Sequence, residues 1–227
     1  MDVIELLPRL HLLRFPVGQA YLWRDGEELT LIDAGPVGAG AGIASVARTL
    51  GVVRRIVLTH FHEDHAGGAG EWDDVPVLVH RRDAPYVRGE QAGPPPVLRD
   101  WERPLHARAT RHLPPLSDAV RPARVTELSG GEVLDFGGGA RVVAVPGHTE
   151  GSIAVHLPAH GVLFTGDTVA ASPVDGQVMP GVFNLDGERA LRSFRELAAL
   201  DVELACFGHG DPVRENASAV LRAAAAG

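Results

Sequence analysis

The stretch Arg55-Ile56-Val57-Leu58-Thr59-His60-Phe61-His62-Glu63-Asp64-His65 decides how this 227-residue sequence is read. Its first half is an apolar, β-branched run of the kind that forms a buried strand, and the run stops at three histidines and an aspartate. In an extended segment alternate side chains point the same way, so His60 and His62 can aim at one metal ion. The chain then turns into a short helix, where Asp64 and His65 can face a neighbouring ion. A polar loop with solvated histidines would carry the same letters, and the choice between the two depends on what stands downstream.

Three further sites repeat the placement of a polar side chain at the end of an apolar run. Arg141 to Val145 leads into Pro146-Gly147-His148, Val162 to Thr165 into Gly166-Asp167, and Leu204 to Phe207 into Gly208-His209-Gly210. Glycine beside such a residue lets the backbone turn tightly and leaves space for an ion and its substrate. Any one of these turns is unremarkable alone. Together with His60, His62, Asp64 and His65 they complete a set of seven imidazole and carboxylate donors.

Composition limits the chemistry that this set can serve. Hydrophobic residues make up 45% and charged residues 22%, ordinary values for a globular protein, and the length suits one α/β domain over residues 1–227. All 21 basic residues are arginine, so a Schiff-base lysine and a phosphate-loop lysine are both excluded. A formal net charge of −8 argues against nucleic acid as a partner. Met1 to Leu13 lacks the basic start and apolar run of a signal peptide, and no stretch is long and apolar enough for a membrane span. The expectation is a cytoplasmic protein with a small-molecule substrate and no membrane partner. Cys206 is the single cysteine and sits in an apolar strand, where packing is its expected role.

Short strands are expected at Leu10 to Phe15, Ala20 to Trp23 and Leu29 to Asp33, then a helix at Ile43 to Leu50 and the strand Arg55 to Thr59. A short helix near Gly68 to Trp72 and a strand at Val75 to His80 come next. Regular strands resume at Val125 to Leu128, Val133 to Phe136, Arg141 to Val145, Ile153 to Leu157 and Val162 to Thr165. Helices at Glu188 to Leu200 and Val213 to Ala225 bracket the strand Glu203 to Phe207. Both halves carry strands and helices in similar order, which predicts two sheets face to face with helices outside. Gly38-Ala39-Gly40-Ala41-Gly42 lacks the spacing of a dinucleotide loop and is expected as a turn into a helix. His80, His156 and His160 are expected at the surface or supporting other side chains.

These motifs, taken in order with Leu31-Ile32-Asp33-Ala34-Gly35, resemble the metallo-β-lactamase superfamily, in its hydrolase branch with glyoxalase II and the lactonases, from about residue 10 to 210. The resemblance implies an α/β, four-layer αβ/βα sandwich of two mixed β-sheets flanked by helices. It implies two divalent metal ions, zinc by default, with iron or manganese accepting similar ligands. One ion would take His60, His62 and His148 and the other Asp64, His65 and His209, with Asp167 bridging. Asp33 resembles the aspartate that orients the histidine loop without binding metal. The implied reaction is attack by a bridging hydroxide on an ester, thioester or lactone, with Asp64 also relaying a proton.

Departures from better-known relatives narrow this expectation. The true β-lactamases use cysteine or serine in the ligand slot comparable to Asp167. Glyoxalase II of the long type adds a basic helical domain after the position of Gly210. Lactonases for quorum signals carry a tyrosine where Thr168-Val169-Ala170 stands, and the flavin-partnered diiron proteins have glutamate in place of His62. Two rival functions stay open: a persulfide-dioxygenase-like oxidoreductase with one iron, and a metal-binding scaffold without turnover.

The expected regular pattern breaks down at about 81–124, which is expected to be a lid insertion. It holds nine arginines against five acids, a formal +4, which suits an anionic substrate, a solvated loop or a contact between subunits. Trp101, His106 and His112 are its candidate substrate-binding residues.

Overall fold

A computed structural model describes residues 1–227, and the chain divides into two compact units. The first comprises residues 1–93 and 109–128, and the second 94–108 and 129–227. No helix is long and apolar enough to cross a membrane.

The first unit is built on a seven-stranded mixed sheet whose order matches the sequence. An antiparallel meander of β1 (Asp2–Leu7), β2 (Leu10–Arg14), β3 (Gln19–Asp25) and β4 (Glu28–Ile32) occupies one side. β5 (Val52–Val57), β6 (Val77–His80) and β7 (Val125–Leu128) then add in parallel. The crossover from β4 to β5 is the helix α1 (Gly40–Leu50), which buries Gly40, Ile43 and Ala47, the spacing of one helical face. That face belongs to a core with Leu22, Leu31, Ile56, Leu58 and Val79. Because β4 and β5 run parallel as neighbours, the residues at their carboxyl ends emerge at the same edge of the sheet. Asp33 leaves β4 there, and Thr59-His60 leaves β5 there. The short helices α2 (Glu63–Ala66) and α3 (Ala84–Val87) come next in the unit.

The second unit opens with most of α4 (Glu102–Thr110) and is centred on a five-stranded sheet. Its strands are β8 (Val133–Leu134), β9 (Ala140–Ala144), β10 (Ile153–Leu157), β11 (Val162–Phe164) and, beyond a hairpin of β12 (Val169–Ala171) and β13 (Val178–Pro180), β14 (Leu204–Cys206). β10 pairs antiparallel with both β9 and β11, and β14 pairs parallel with β11. β9, β11 and β14 therefore run the same way, and His148, Asp167 and His209 all lie past carboxyl ends on one edge. The helices α5 (Gly187–Ala198) and α6 (Ala217–Ala226) supply Phe194, Leu197 and Leu221 to a core with Val145, Leu163 and Phe207. Asp186 caps α5 by accepting the Arg189 N–H at 2.9 Å.

Three expectations change. The segment 81–124 is not wholly irregular, since it contains α3 and α4. α6 begins at Ala217 because Val213 is held in a β-bridge to Ala205 instead. His156 lies within β10 and is only 6% exposed, with Nε2 3.3 Å from the Asp201 carbonyl. Desolvation lowers its pKa from the ordinary imidazole value, against the opposing pull of that carbonyl. Cys206 is buried in β14, and burial pushes its thiol well above the usual range, in keeping with a packing role.

Candidate metal centre

In the first unit the cluster is organised by a single carboxylate. Asp33 has φ 58°, a left-handed conformation that aspartate tolerates better than most residues. This turn aims both carboxylate oxygens back at the loop after β5. Oδ1 accepts the Thr59 backbone N–H at 2.7 Å, and Oδ2 accepts the Thr59 hydroxyl at 2.8 Å. The same Oδ2 lies 2.8 Å from His65 Nδ1. An ionised carboxylate can only accept, so His65 must carry its proton on Nδ1 and present its lone pair at Nε2. The Thr59 hydroxyl, its one hydrogen directed at Asp33, accepts from His60 Nδ1 at 3.0 Å. Asp33 thus fixes the tautomer of two imidazoles, one directly and one through Thr59, as ligand histidines require.

The rings gather closely. His60 and His62 stand edge to face with centroids 4.7 Å apart, and His60 and His65 are tilted with centroids 4.2 Å apart. Asp64 Oδ2 lies 3.6 Å from His65 Nε2. His60 is 1% exposed, His65 is fully buried and Asp64 is 8% exposed. Taking so many ionisable groups out of water is costly unless something compensates for it, as a cation among them would. His62 caps α2 in an extended conformation, so the expected change of direction between His62 and Asp64 is the start of that helix.

In the second unit the carboxylate stands between two imidazoles. Asp167 Oδ2 is 3.6 Å from His148 Nε2 and 3.2 Å from His209 Nε2. The loop bearing His148 is pinned by backbone contacts: its carbonyl accepts from Leu185 N–H at 3.2 Å, and that of Gly147 from Asp186 N–H at 2.9 Å. Gly147 has φ 140°, and a Cβ there would lie 2.2 Å from the Ala190 nitrogen, so no other residue fits the approach to α5. At Gly181 a Cβ would fall 1.7 Å from the Asp167 carbonyl oxygen. Asn184 sets the His148 tautomer. Its amide donates to the Gly181 carbonyl at 2.7 Å, which turns Oδ1 toward His148 Nδ1 at 3.3 Å. His148, like His65, then offers Nε2.

Each unit therefore gathers its share of the expected donors: His60, His62, Asp64 and His65 in the first, and His148, Asp167 and His209 in the second. Imidazoles held by Nδ1 together with carboxylate oxygens form a donor set that suits zinc, iron or manganese. The lid candidates do not form one group. Trp101 lines a cavity in the second unit, His106 packs edge to face on Phe183 at 5.1 Å, and His112 is exposed in a stretch grouped with the first unit. Sequence reasoning missed Thr59, although it directly precedes the first expected donor. It also missed Asn184, for which the sequence carries no local signal.

A model of the metallo-β-lactamase superfamily matches residues 13–209. YflN of Bacillus subtilis, described as a probable metallo-hydrolase, is 31% identical over 233 residues, 92% of this chain and 86% of its own length. The hydroxyacylglutathione hydrolase of Cereibacter sphaeroides is 31% identical over 157 residues, 68% of this chain but 48% of that enzyme. Among solved structures, TTHA1623 in a di-iron-bound form matches with a TM-score of 0.64 at 30% identity, covering 88% of this chain and 92% of that one. The family and the α/β class of mixed sheets with flanking helices, both expected from the sequence, are borne out.

Proposed function

This chain belongs to the metallo-β-lactamase superfamily, and we propose that within it the chain is a dinuclear metal-dependent hydrolase of ester-type bonds. The observation that carries the proposal is the pair of tautomer-fixing contacts, Asp33 on His65 and Asn184 on His148, which prepare both donor sets for cations. In this reading His60, His62 and His148 hold one ion, Asp64, His65 and His209 hold the other, and Asp167 serves both. Such a pair supplies a nucleophilic water of pKa about 7 and a Lewis acid for the carbonyl oxygen. Zinc is the proposed metal. Iron is its main rival, given the di-iron form of TTHA1623.

The chain's own residues do the rest. Asp33 and Thr59 keep the imidazoles of His60 and His65 from rotating or changing tautomer. Asn184 does the same for His148. Asp64 accepts the proton of the attacking water and returns it to the departing oxygen or sulfur, so no serine or cysteine nucleophile is needed. The name of YflN, a probable metallo-hydrolase, supports metal-dependent hydrolysis, and that of the Cereibacter hydroxyacylglutathione hydrolase supports an acyl-thiol bond as the one cleaved. The substrate is proposed to be a small molecule, and the net charge of −8 weighs against nucleic acid.

A panel of esters, thioesters, lactones and phosphodiesters, assayed on protein of measured metal content, tests this. We expect turnover of an ester-type bond that Asp167→Ala lowers by roughly three orders of magnitude, with the fold retained by circular dichroism. Unchanged turnover in that variant would refute the assignment. Oxygen consumption by an iron-loaded protein that cleaves no ester would favour the dioxygenase-like reading.

A further inference from the structure

The segment before α4 and the stretch from β13 into α5 enclose a cavity of about 450 Å³, entirely within the second unit. This volume falls in the range of small-molecule sites, about 300 to 1,000 Å³. Its walls include Leu98, Trp101, Met179, Val182, Leu185 and Leu191. Two of the acids that line it have structural work elsewhere. Glu102 is 4% exposed and accepts the backbone N–H groups of Arg99 at 2.7 Å and Phe183 at 3.2 Å. Asp186 caps α5. Arg99 and Glu188, the other charged lining residues, are exposed. What remains for an occupant is an apolar interior.

Two observations connect this cavity with the metal donors. Asn184 lines it and is also the residue whose Oδ1 faces His148 Nδ1. Phe183, beside Asn184, has φ 59°, a left-handed conformation that a bulky side chain rarely adopts. The buried Glu102 holds it there through its N–H. A backbone kept in an unfavourable conformation by a buried carboxylate, one residue from a group that positions a ligand histidine, is a mark of a working site.

We infer that this cavity is an acyl pocket, taking the uncharged hydrocarbon chain of an ester or thioester whose scissile carbonyl lies toward His148. The inference rests on the hydrolase reading above and adds its substrate class. It also gives the lid a task different from binding an anion, since the one cation in the lining lies exposed. Each methylene moved from water into the pocket should raise kcat/KM about fourfold until the space is filled.

The test uses p-nitrophenyl esters of acetate, butanoate, hexanoate and octanoate with the metal-loaded protein. We expect kcat/KM to climb along the series in the wild type. Met179→Trp, which fills the cavity, should flatten the climb from acetate to octanoate. Trp101→Ala, at an exposed wall position, should lower kcat/KM for octanoate several-fold more than for acetate. Binding of bromooctanol, read as quenching of the fluorescence that Trp101→Phe removes, reports on the pocket without turnover. Quenching that Met179→Trp abolishes, in a protein that cleaves no ester, would uphold the pocket and sink the hydrolase reading. Ester hydrolysis with no chain-length dependence and no quenching would overturn the pocket alone, as would preference for a chain ending in a carboxylate.

Discussion

The two donor sets differ both in how the sequence writes them and in how the fold holds them. The first unit packs four donors into residues 60–65, after one strand, and anchors two of its imidazoles on one ionised aspartate. The second spreads three donors over residues 148–209, after three co-directional strands, and anchors His148 on a neutral amide at a longer 3.3 Å. A dense motif can be carried by a single loop with one strong, charge-assisted anchor. A dispersed one depends on sheet topology to bring separate loops to the same edge, and each loop is then fixed by backbone contacts and close-packed glycines. Hydrogen bonds to an ionised group are roughly twice as strong as neutral ones, so the two anchors should not be equally important.

That difference can be broken experimentally. Asp33→Asn keeps the left-handed turn, which asparagine also tolerates, but puts an N–H where Thr59 and His65 need an acceptor. Metal affinity should fall by roughly 10- to 100-fold and activity at limiting metal with it, measured by competition with a chromophoric chelator. Affinity equal to wild type would show that Asp33 does not set the tautomers. Asn184→Ala removes only a neutral acceptor, so its effect should be smaller, at the lower end of about tenfold, with kcat affected more than the metal content at saturation. If Asn184→Ala proves more damaging than Asp33→Asn, the ranking of the two anchors is reversed.

The same contrast explains how much of the molecule was legible in the sequence. His60, His62, Asp64 and His65 could be read directly because strand and turn periodicity fix their directions within a few residues. His148, Asp167 and His209 could be read only through the repeated strand, glycine, donor pattern, and the sequence could not say that β9, β11 and β14 run the same way. Asp33 was legible through family resemblance, but Thr59 and Asn184 were not, because their roles arise from hydroxyl and amide orientation set by distant backbone. The hairpin of β12 and β13 escaped notice because its strands are three residues long, with Ser172, Pro173 and Gly176 in the connecting stretch. His156 was misjudged because a histidine near a strand end, with no partner nearby in sequence, gives no local sign of burial, whereas β10 is buried along its whole length. The break in pattern at about 81–124 was visible in the sequence. The apolar cavity lined by Leu98, Trp101, Met179 and Leu185 was not, since nothing in the sequence brings the stretch before α4 together with the one after β13.

The proposed dinuclear site needs two metal ions to bind and needs His148 and His209 among their ligands. Titrating metal-free protein with zinc and counting bound equivalents by elemental analysis, in wild type and in a His148→Ala, His209→Ala double variant, addresses it most directly. Two tightly bound equivalents are expected in wild type and a clear loss of tight binding in the variant, because the proposed ligand sets would each be one imidazole short. A variant that still holds two equivalents as tightly as wild type would contradict it.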